Sequence, residues 1–288
     1  ITKKKITFYN INLNNRKKLK IIFEKHNCNC VIHCAGLKVV SESILNPISY
    51  FDNNIGSTLS LLECMKEKNI FKLIFSSSAS VYNAEESLPL KETSITGNTE
   101  NPYGKSKYII EKILIDLAKF DFRWNISIVR YFNPISNHPS GLIKENPKSI
   151  SNNLIPHILK VAQKKISVLR VFGKNYPTRD GTCIRDYIHV MDLANGHFYA
   201  LEHLIKNSPK ILNLNLGTGI GSSVLELIST FERVNKIKVP FKFSDKRKGD
   251  AAIVVADNSL MKNIFKWEPE KNLEDMCRDG WKWKKLNL

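Results

Sequence analysis

The sequence lacks the usual signals of a membrane, secreted or metal-binding protein. No run of about 18 apolar residues occurs, so we expect no helix to span a bilayer. The basic N-terminus, Ile1–Ile6, is not followed by the apolar segment of a secretory signal. The six cysteines include no Cys-x-x-Cys pair and do not cluster with the histidines. We therefore expect reduced thiols, no bound metal and a cytoplasmic location.

Acidic residues are scarce beside basic ones, and the formal net charge is +17. A charge of this size is compatible with a polyanionic partner. The lysines, however, are spread along the whole chain, and neither a recognition helix nor an aromatic RNA-binding strand is present. We expect no nucleic-acid partner. We expect most of the positive charge to lie on the solvated surface, and a few basic residues to bind an anionic substrate.

Short apolar runs alternate with amphipathic helical patterns through the first half of the chain. The predicted strands are 6–9, 30–34, 71–75 and 126–131, and the predicted helices are 15–26, 50–68 and 103–119. Such alternation is typical of an α/β fold with a doubly wound parallel sheet and helices on both faces.

The pattern changes after Asn133, where Pro and Gly punctuate a loop at 134–151, and a second polar loop covers 173–186. Further elements are predicted as helices at about 153–165, at 191–205, from near Ser222 and around Trp281 and Trp283, and as a strand at 211–216. We interpret the whole as two lobes with a ligand cleft between them.

Small and polar segments follow three of the predicted strands. They are Cys34–Lys38, Ser76–Ala79 and Tyr131–Pro134. Ligands of open parallel sheets bind at the carboxyl ends of the strands. These segments therefore suit the close approach of a flat cofactor.

Tyr103 and Lys107 carry the main chemical signal. Four residues apart near the start of a predicted helix, they share one face. A free tyrosine hydroxyl, with a pKa near ~10, is a poor base at neutral pH. A nearby ammonium and a cationic nicotinamide would favour its phenolate, and a serine of Ser76–Ser78 could share the proton. The spacing alone is common in helices; its place after a serine-rich strand end favours an acid/base site.

Seven ordered segments resemble the extended short-chain dehydrogenase/reductases, and within them the UDP-galactose 4-epimerases. They are Val31–Lys38, Phe75–Tyr82, Asn101–Lys107, Arg130–Pro134, Asn152–Pro156, Gly181–Val190 and Arg247–Asp250. The resemblance implies a Rossmann-type sheet at 1–133 that binds NAD and a smaller α/β lobe at 134–288 that binds a UDP-sugar. Whether part of 186–217 returns to the first domain is left open.

The resemblance also implies a role for each matched residue. The catalytic residues would be Tyr103 as the base for the sugar 4-hydroxyl, Lys107 as its electrostatic partner and Ser78 as the bridge to the 4-oxygen. NAD would be lined by Ala35, Gly36, Lys38, Asn53, Ser76, Tyr103, Lys107 and Tyr131. The UDP-sugar would be held by Ser78, Asn133, Asn153, Leu154, Phe172, Arg185, Arg247 and Asp250. Two arginines suit a diphosphate, and a helix that opens at Asn153 offers N–H groups to a phosphate.

The reaction implied by the resemblance interconverts UDP-galactose and UDP-glucose. Hydride leaves sugar C4 for tightly bound NAD, the 4-keto sugar turns while UDP stays anchored, and hydride returns to the other face. The family further implies a homodimer formed by the helices predicted at 50–68 and 103–119.

The glycine-rich turn with which this fold begins is absent from the chain. We therefore expect an N-terminally truncated sheet without its first βαβ unit, a fragment of a longer protein, and no activity from this chain alone. A natural short form that binds NAD poorly is the alternative. Gly217–Gly221 does not replace the missing turn, and we interpret it as a tight turn into a helix capped by Ser222 or Ser223.

Other reactions share the Tyr/Lys pair. A 4,6-dehydratase needs an acid beside Ser78, where the chain has Ala79 and Ser80. A decarboxylase or an epimerase of UDP-pentoses or uronic acids stays open, as does an inactive binding protein. Val254 stands where some family members have a bulky tyrosine beside the sugar, so we hypothesise that N-acetylated UDP-hexosamines also fit.

Overall fold

The computed structural model describes residues 3–83, 86–143, 153–207, 210–247 and 249–286. Contacts divide the chain into two compact units. The first unit comprises Ile1–Ala84, Ile95–Arg130 and His197–Leu214, and the second comprises Glu85–Ser94, Tyr131–Gly196 and Asn215–Leu288. The domain bounds drawn from the sequence stay a prediction, because compactness does not show what each part binds.

The first unit is built on a four-stranded sheet. The strands lie in the order 31–33 (β1), 72–78 (β2), 125–131 (β3) and 211–216 (β7). Its elements are α1 (Arg16–Lys25), β1 (Val31–His33), α2 (Val40–Leu45), α3 (Pro47–Phe51), a π-helical segment (Asp52–Gly56), α4 (Ser57–Glu67), β2 (Lys72–Ser78), a 3₁₀ turn (Ala79–Val81), α5 (Pro102–Phe120) and β3 (Asn125–Tyr131). Strands β1 and β2 are parallel. Helix α7 (Val190–Asn207) and strand β7 (Ile211–Leu216) each contain residues of both units.

Apolar β-branched residues give the central strands their buried character. In β2 every residue after Lys72 is buried, and in β3 Ile126, Ile128 and Val129 are fully buried. Strands buried in this way are typical of sheets covered by helices on both faces. The helical side of the core includes Leu61, Leu62 and Met65 of α4 and Ile110, Leu114 and Ala118 of α5.

Helix α5 begins at a defined position. The Asn101 side chain caps it by accepting a hydrogen bond from the backbone N–H of Gly104 at 2.8 Å, and Pro102 occupies the first turn. This start places Tyr103, Lys107 and Glu111 at spacings of four residues. All three are buried, so the face that carries the predicted catalytic pair is an inner face of the unit.

The second unit contains two small sheets. In one, the strand 184–189 (β6) lies between the strands 253–254 (β10) and 133–135 (β4) and also pairs with 221–223 (β8). In the other, the strands 169–172 (β5) and 241–244 (β9) form a parallel pair. Its elements are β4 (Asn133–Ile135), α6 (Leu154–Ala162), β5 (Leu169–Phe172), β6 (Ile184–His189), β8 (Gly221–Ser223), α8 (Val224–Asn235), β9 (Phe241–Ser244), β10 (Ile253–Val254), α9 (Ser259–Phe265) and α10 (Leu273–Leu286).

The α/β class predicted from the sequence is confirmed, and so are the helices and strands that flank the predicted site. One predicted strand is wrong. Within the described residues Ile6–Tyr9 pairs with no strand, and the Ile6 and Phe8 side chains are more than four-fifths exposed. An apolar alternation becomes a strand only when a neighbouring strand satisfies its backbone groups.

Four further details of the predicted elements need correction. The helix predicted at 50–68 is interrupted by the π-helical segment, and the serines 76–78 lie within β2 rather than beyond it. The predicted loops lose residues 134–135 to β4 and 184–186 to β6. Residues 144–152 of the first loop lie outside the described part of the chain. Among the residues that are described, no helix has the length and apolar character needed to cross a bilayer.

The turn at Gly217–Gly221 leads into α8, whose cap is Ser223 and not Ser222. The Ser223 hydroxyl accepts from the backbone N–H of Glu226 at 3.1 Å, and the Glu226 carboxylate accepts from the Ser223 N–H at 2.8 Å. Ser223 also donates to the Asp180 carboxylate. This is a complete capping box in a buried position.

The S223A substitution should lower the free energy of unfolding by about 1–2 kcal/mol, because it removes the cap of α8. Urea denaturation of the full-length protein, followed by circular dichroism, measures the change. The matched control is S222A, which should change the free energy by less than about 0.5 kcal/mol. Equal effects of the two variants would contradict this account of the cap.

Candidate active site

Tyr103 is buried near the start of α5, with its hydroxyl beside the side chain of Ser78. Burial raises the pKa of Tyr103, and the proximity of Ser78 opposes that shift. Ser78 ends β2, and its hydroxyl accepts from the Ser80 backbone N–H at 3.2 Å and donates to the Ser80 hydroxyl at 3.1 Å. The structure therefore brings together Tyr103 and the serine that the sequence analysis selected.

Lys107 lies one turn further along α5, and its side chain is 4% exposed. Its ammonium donates to the carbonyl oxygen of Ser76 at 2.8 Å and lies 4.7 Å from the centre of the Phe75 ring. Burial lowers the pKa of Lys107 to about 8, because the charged form loses its hydration, and Cys34 and Glu111 oppose this. Its influence on Tyr103 stays a prediction.

Ser76 connects two further side chains to this region. Its hydroxyl lies 2.9 Å from Nε2 of His197, on α7, and 3.2 Å from the thiol of Cys34, which follows β1. Ser76 itself is buried, whereas Cys34 is exposed. The carboxyl ends of β1 and β2 thus meet beside Lys107, as expected of parallel neighbours.

The segment after Cys34 is an exposed loop of small residues. Ala35, Gly36 and Lys38 are all exposed, and Asn53 of the π-helical segment is half-buried. A methyl group built at Gly36 would lie 3.1 Å from Oδ1 of Asn54 and 3.8 Å from the Lys107 ammonium. The glycine therefore leaves open the space in front of that ammonium.

A buried ion pair lies one turn beyond Lys107 on the same face of α5. The Glu111 carboxylate accepts two hydrogen bonds from the Arg130 guanidinium, at 2.7 and 3.0 Å, and one from the Ser77 hydroxyl at 2.5 Å. Arg130 also donates to the hydroxyl of Tyr82 at 3.2 Å. This network joins α5 to both β2 and β3 with its charges paired.

Four of the predicted UDP-sugar residues form a cluster in the second unit. The Arg247 guanidinium stacks 4.0 Å from the centre of the Phe172 ring, and the backbone N–H of Asp250 donates to the Arg247 carbonyl at 3.3 Å. Arg185 and Asp250 approach to 3.7 Å between side-chain nitrogen and oxygen. An aromatic face, two guanidiniums and a carboxylate are a donor set suited to a nucleoside diphosphate.

The other predicted residues lie on element ends. Asn153 is the N-cap residue of α6 and Leu154 its first helical residue, as predicted. Asn133 begins β4 and is exposed, whereas Tyr131 ends β3 and is half-buried. In the second unit Asn133 pairs in register with Tyr187 of β6. The roles of these four residues stay predictions.

Comparison with known proteins identifies the family. Residues 1–215 match the model of the NAD-dependent epimerase/dehydratase family. The UDP-glucose 4-epimerase of Bacillus subtilis (strain 168) is 46% identical over 288 residues, covering 100% of this chain and 84% of that protein. The chain belongs to the NAD-dependent epimerase/dehydratase family.

Solved structures of this family agree over nearly the whole chain. A UDP-glucose 4-epimerase from Bifidobacterium longum in complex with NAD⁺ and UDP has a TM-score of 0.95 and 42% identity, covering 99% of this chain and 85% of that one. A second, from Stenotrophomonas maltophila with bound NAD and formylated UDP-arabinopyranose, has a TM-score of 0.94 and 41% identity, covering 98% and 83%. The family resemblance and the Rossmann-type fold predicted from the sequence are therefore confirmed.

Sequence reasoning missed residues that support the family's Tyr/Lys pair. Asn54 contacts both the exposed loop and α5, and His197 reaches Ser76 from a distant helix. Asn54 directly follows Asn53, which was predicted to line NAD, so its place in the same predicted helix is a signal that could have selected it. His197 is separated from Ser76 by 121 positions, and no local pattern indicates that contact.

In protein freed of bound nucleotide, Lys107 should titrate near pH 8, because burial disfavours its ammonium. The measurement is NMR of the full-length protein carrying ¹³C at lysine Cε, followed from pH 6 to 11. The resonance is assigned by its loss in K107R. Titration of that resonance at the ordinary lysine value near ~10.4 would contradict the prediction.

Proposed function

We propose that this protein is a UDP-glucose 4-epimerase that interconverts UDP-galactose and UDP-glucose with tightly bound NAD. The observation that carries the proposal is the buried Tyr103, which lies beside Ser78 and one turn before the buried Lys107. The relatives named UDP-glucose 4-epimerase, at 43–46% identity over the full chain, support the same reaction.

NAD fits the residues that the first unit presents. Ala35 and Gly36 would line its nicotinamide half, where the glycine keeps open the space before Lys107. Lys107 would hold the ribose hydroxyls with a charged donor, and Asn53 and Ser76 would lie nearby. When bound, NAD accepts a hydride from the sugar carbon and returns it.

Tyr103 is the residue placed to move the proton. As the phenolate it takes the proton of the sugar 4-hydroxyl while C4 is oxidised, and as the hydroxyl it gives the proton back while C4 is reduced. Because burial raises its pKa, Tyr103 needs positive charge nearby to act as a base, and Lys107 supplies it from the next turn. Ser78 bridges Tyr103 and the sugar oxygen.

The second unit would hold the UDP group. Phe172 and Arg247 offer a stacked flat surface, Arg185 a guanidinium for the diphosphate, and Asp250 an acceptor for ribose hydroxyls. Asn133, Asn153 and Leu154 complete the proposed set. The 4-keto sugar can then turn while UDP stays bound.

We also propose a homodimer located in the cytoplasm. The helical surface of the first unit supports the dimer, since Ile48 on α3, Leu59 on α4 and Phe120 on α5 are exposed apolar side chains. Buried or unpaired thiols among the described cysteines suit a reducing compartment.

The Y103F substitution should abolish epimerisation, lowering kcat by at least ~10³-fold, because the general acid/base hydroxyl is lost. The full-length protein is purified, and one portion is denatured to measure the NAD that it releases. A second, native portion is given UDP-galactose, and the formation of UDP-glucose is measured. The matched control is Y108F, which removes a hydroxyl from the same helix outside the proposed site and should keep the wild-type rate.

Absence of both released NAD and epimerisation in the wild type would overturn the proposed function and favour an inactive binding protein. Retention of NAD without epimerisation would favour a UDP-pentose or uronic-acid enzyme instead. An active Y103F variant would overturn only the assignment of the base.

A second substrate class is favoured by Val254. This small residue lies in β10, in register with Arg185 of β6, next to the proposed diphosphate site. The full-length protein should therefore turn over UDP-N-acetylgalactosamine as well as UDP-galactose, whereas V254Y should turn over only UDP-galactose. Turnover of UDP-galactose alone by the wild type would contradict this prediction.

A further inference from the structure

We propose that Asp186 is a positioning residue of the UDP site: its carboxylate fills an anion-binding turn at Thr218–Gly219 and thereby fixes the strand that carries Arg185. The inference rests on the proposed function, because Arg185 is assigned there to the diphosphate. Asp186 itself is fully buried on β6, and the sequence analysis gave it no role.

The glycine-rich turn at Gly217–Gly221 has the geometry of an anion site. Gly219 has a φ of 74°, in the left-handed region that favours glycine. In such turns successive backbone N–H groups converge and form a concave surface suited to an anion. The N–H groups of Thr218 and Gly219 donate to Oδ1 and Oδ2 of Asp186 at 2.8 and 2.9 Å. The turn therefore does bind an anion, and that anion is a side chain of the protein itself.

Two further donors complete the surroundings of the Asp186 carboxylate. Its Oδ1 also accepts from the Thr218 hydroxyl at 2.6 Å, and its Oδ2 also accepts from the backbone N–H of Ala256 at 3.2 Å. Each carboxylate oxygen thus accepts two hydrogen bonds, which offset the loss of hydration of the buried charge. Ala256 lies just beyond β10, so this one side chain of β6 joins the turn before β8 to the end of β10.

Gly217 allows the carboxylate to approach the turn. A methyl group built at Gly217 would lie 2.5 Å from Oδ2 of Asp186 and 2.5 Å from Cβ of Ala256. Because contacts this short are not tolerated, a larger residue at 217 would displace the carboxylate or the end of β10. Gly217 thus supplies space, whereas Gly219 supplies the backbone conformation.

The Asp186 contacts hold the strands on both sides of Arg185. Arg185 precedes Asp186 on β6, and successive side chains of a strand point to opposite faces. Arg185 pairs in register with Val254 of β10 and with Ser222 of β8, the two strands that the carboxylate joins. Loss of the carboxylate would free both neighbours. It would thereby change the direction of the Arg185 guanidinium, which lies 3.7 Å from the Asp250 carboxylate.

The first experiment measures the Kd for UDP of full-length D186A by isothermal titration calorimetry. D186A should raise this Kd about 10-fold, the change expected when one charged hydrogen bond to a ligand is weakened. The matched control is D192A, because Asp192 is also buried and accepts two backbone N–H bonds, from Glu270 and Lys271. D192A should keep the Kd within about twofold of the wild type, since sites without shared partners act independently.

Chemical rescue separates the positioning role from a general loss of stability. The cavity left in D186A keeps the N–H groups of Thr218 and Gly219, and formate supplies a carboxylate of the missing size. Formate at about 100 mM should return the Kd of D186A to within about threefold of the wild type, whereas sodium chloride of the same ionic strength should not. Formate should leave the Kd of D192A unchanged.

D186N carries the test if D186A does not fold. Its amide keeps the shape of the carboxylate but places N–H groups against two of the four donors. D186N should therefore raise the Kd for UDP about fivefold or more relative to D192N. Formate should not restore this Kd, because the amide fills the cavity.

Two results would overturn the inference while the proposed function stands. One is a D186A variant, or a D186N variant where D186A does not fold, that binds UDP as tightly as the matching variant of Asp192. The other is a Kd of D186A that formate lowers no more than chloride does. A wild-type protein that does not bind UDP would instead overturn the proposed function itself.

Discussion

The ion pair between Glu111 and Arg130 is the constraint on which the first unit depends. Both side chains are almost fully buried, and the pair is bidentate, with the Ser77 hydroxyl on the remaining carboxylate lone pairs. Breaking such a pair by removing one partner typically costs about 3–5 kcal/mol, since the other charge is then left in a low-dielectric interior. Helix α5 is consequently held against β2 and β3 at one rotation and one height.

That rotation decides the surroundings of the catalytic candidates. Lys107 precedes Glu111 by one turn and Tyr103 precedes it by two, so the three share a face that the ion pair directs inward. Burial then acts on each differently. It lowers the pKa of Lys107 to about 8 and raises that of Tyr103. The Glu111–Arg130 ion pair thus holds α5 rigidly. Tyr103 and Lys107 lie next to it, and their shifted pKa values are of the kind found where protons are transferred.

Much of this was accessible from the sequence because the decisive spacings are local. Tyr103 and Lys107 lie within one helix, so periodicity suffices to group them, whereas the choice of Ser78 among the three serines at the end of β2 came from the family resemblance. The contacts of Asn54 and His197 join distant segments, and no local pattern determines such contacts. The prediction of a strand at Ile6–Tyr9 was wrong for a related reason. Its alternation is correct for a strand, yet pairing depends on a neighbour that a single segment cannot specify. The short parallel pair β5 and β9 was missed for the same reason.

The division of the proposed roles between two compact units carries a further consequence for specificity. In the first unit the proposed reacting groups are buried and fixed by hydrogen bonds to backbone or to neighbouring side chains, so there is little freedom to change them without losing the reaction. In the second unit Val254 lies in register with Arg185, and Arg185 approaches Asp250 to 3.7 Å on a partly exposed surface. A side chain at position 254 can change volume without leaving a buried charge unpaired. We therefore propose that a change at position 254 alters the choice of sugar at small energetic cost, while the proposed proton chemistry of Tyr103 and Lys107 stays the same.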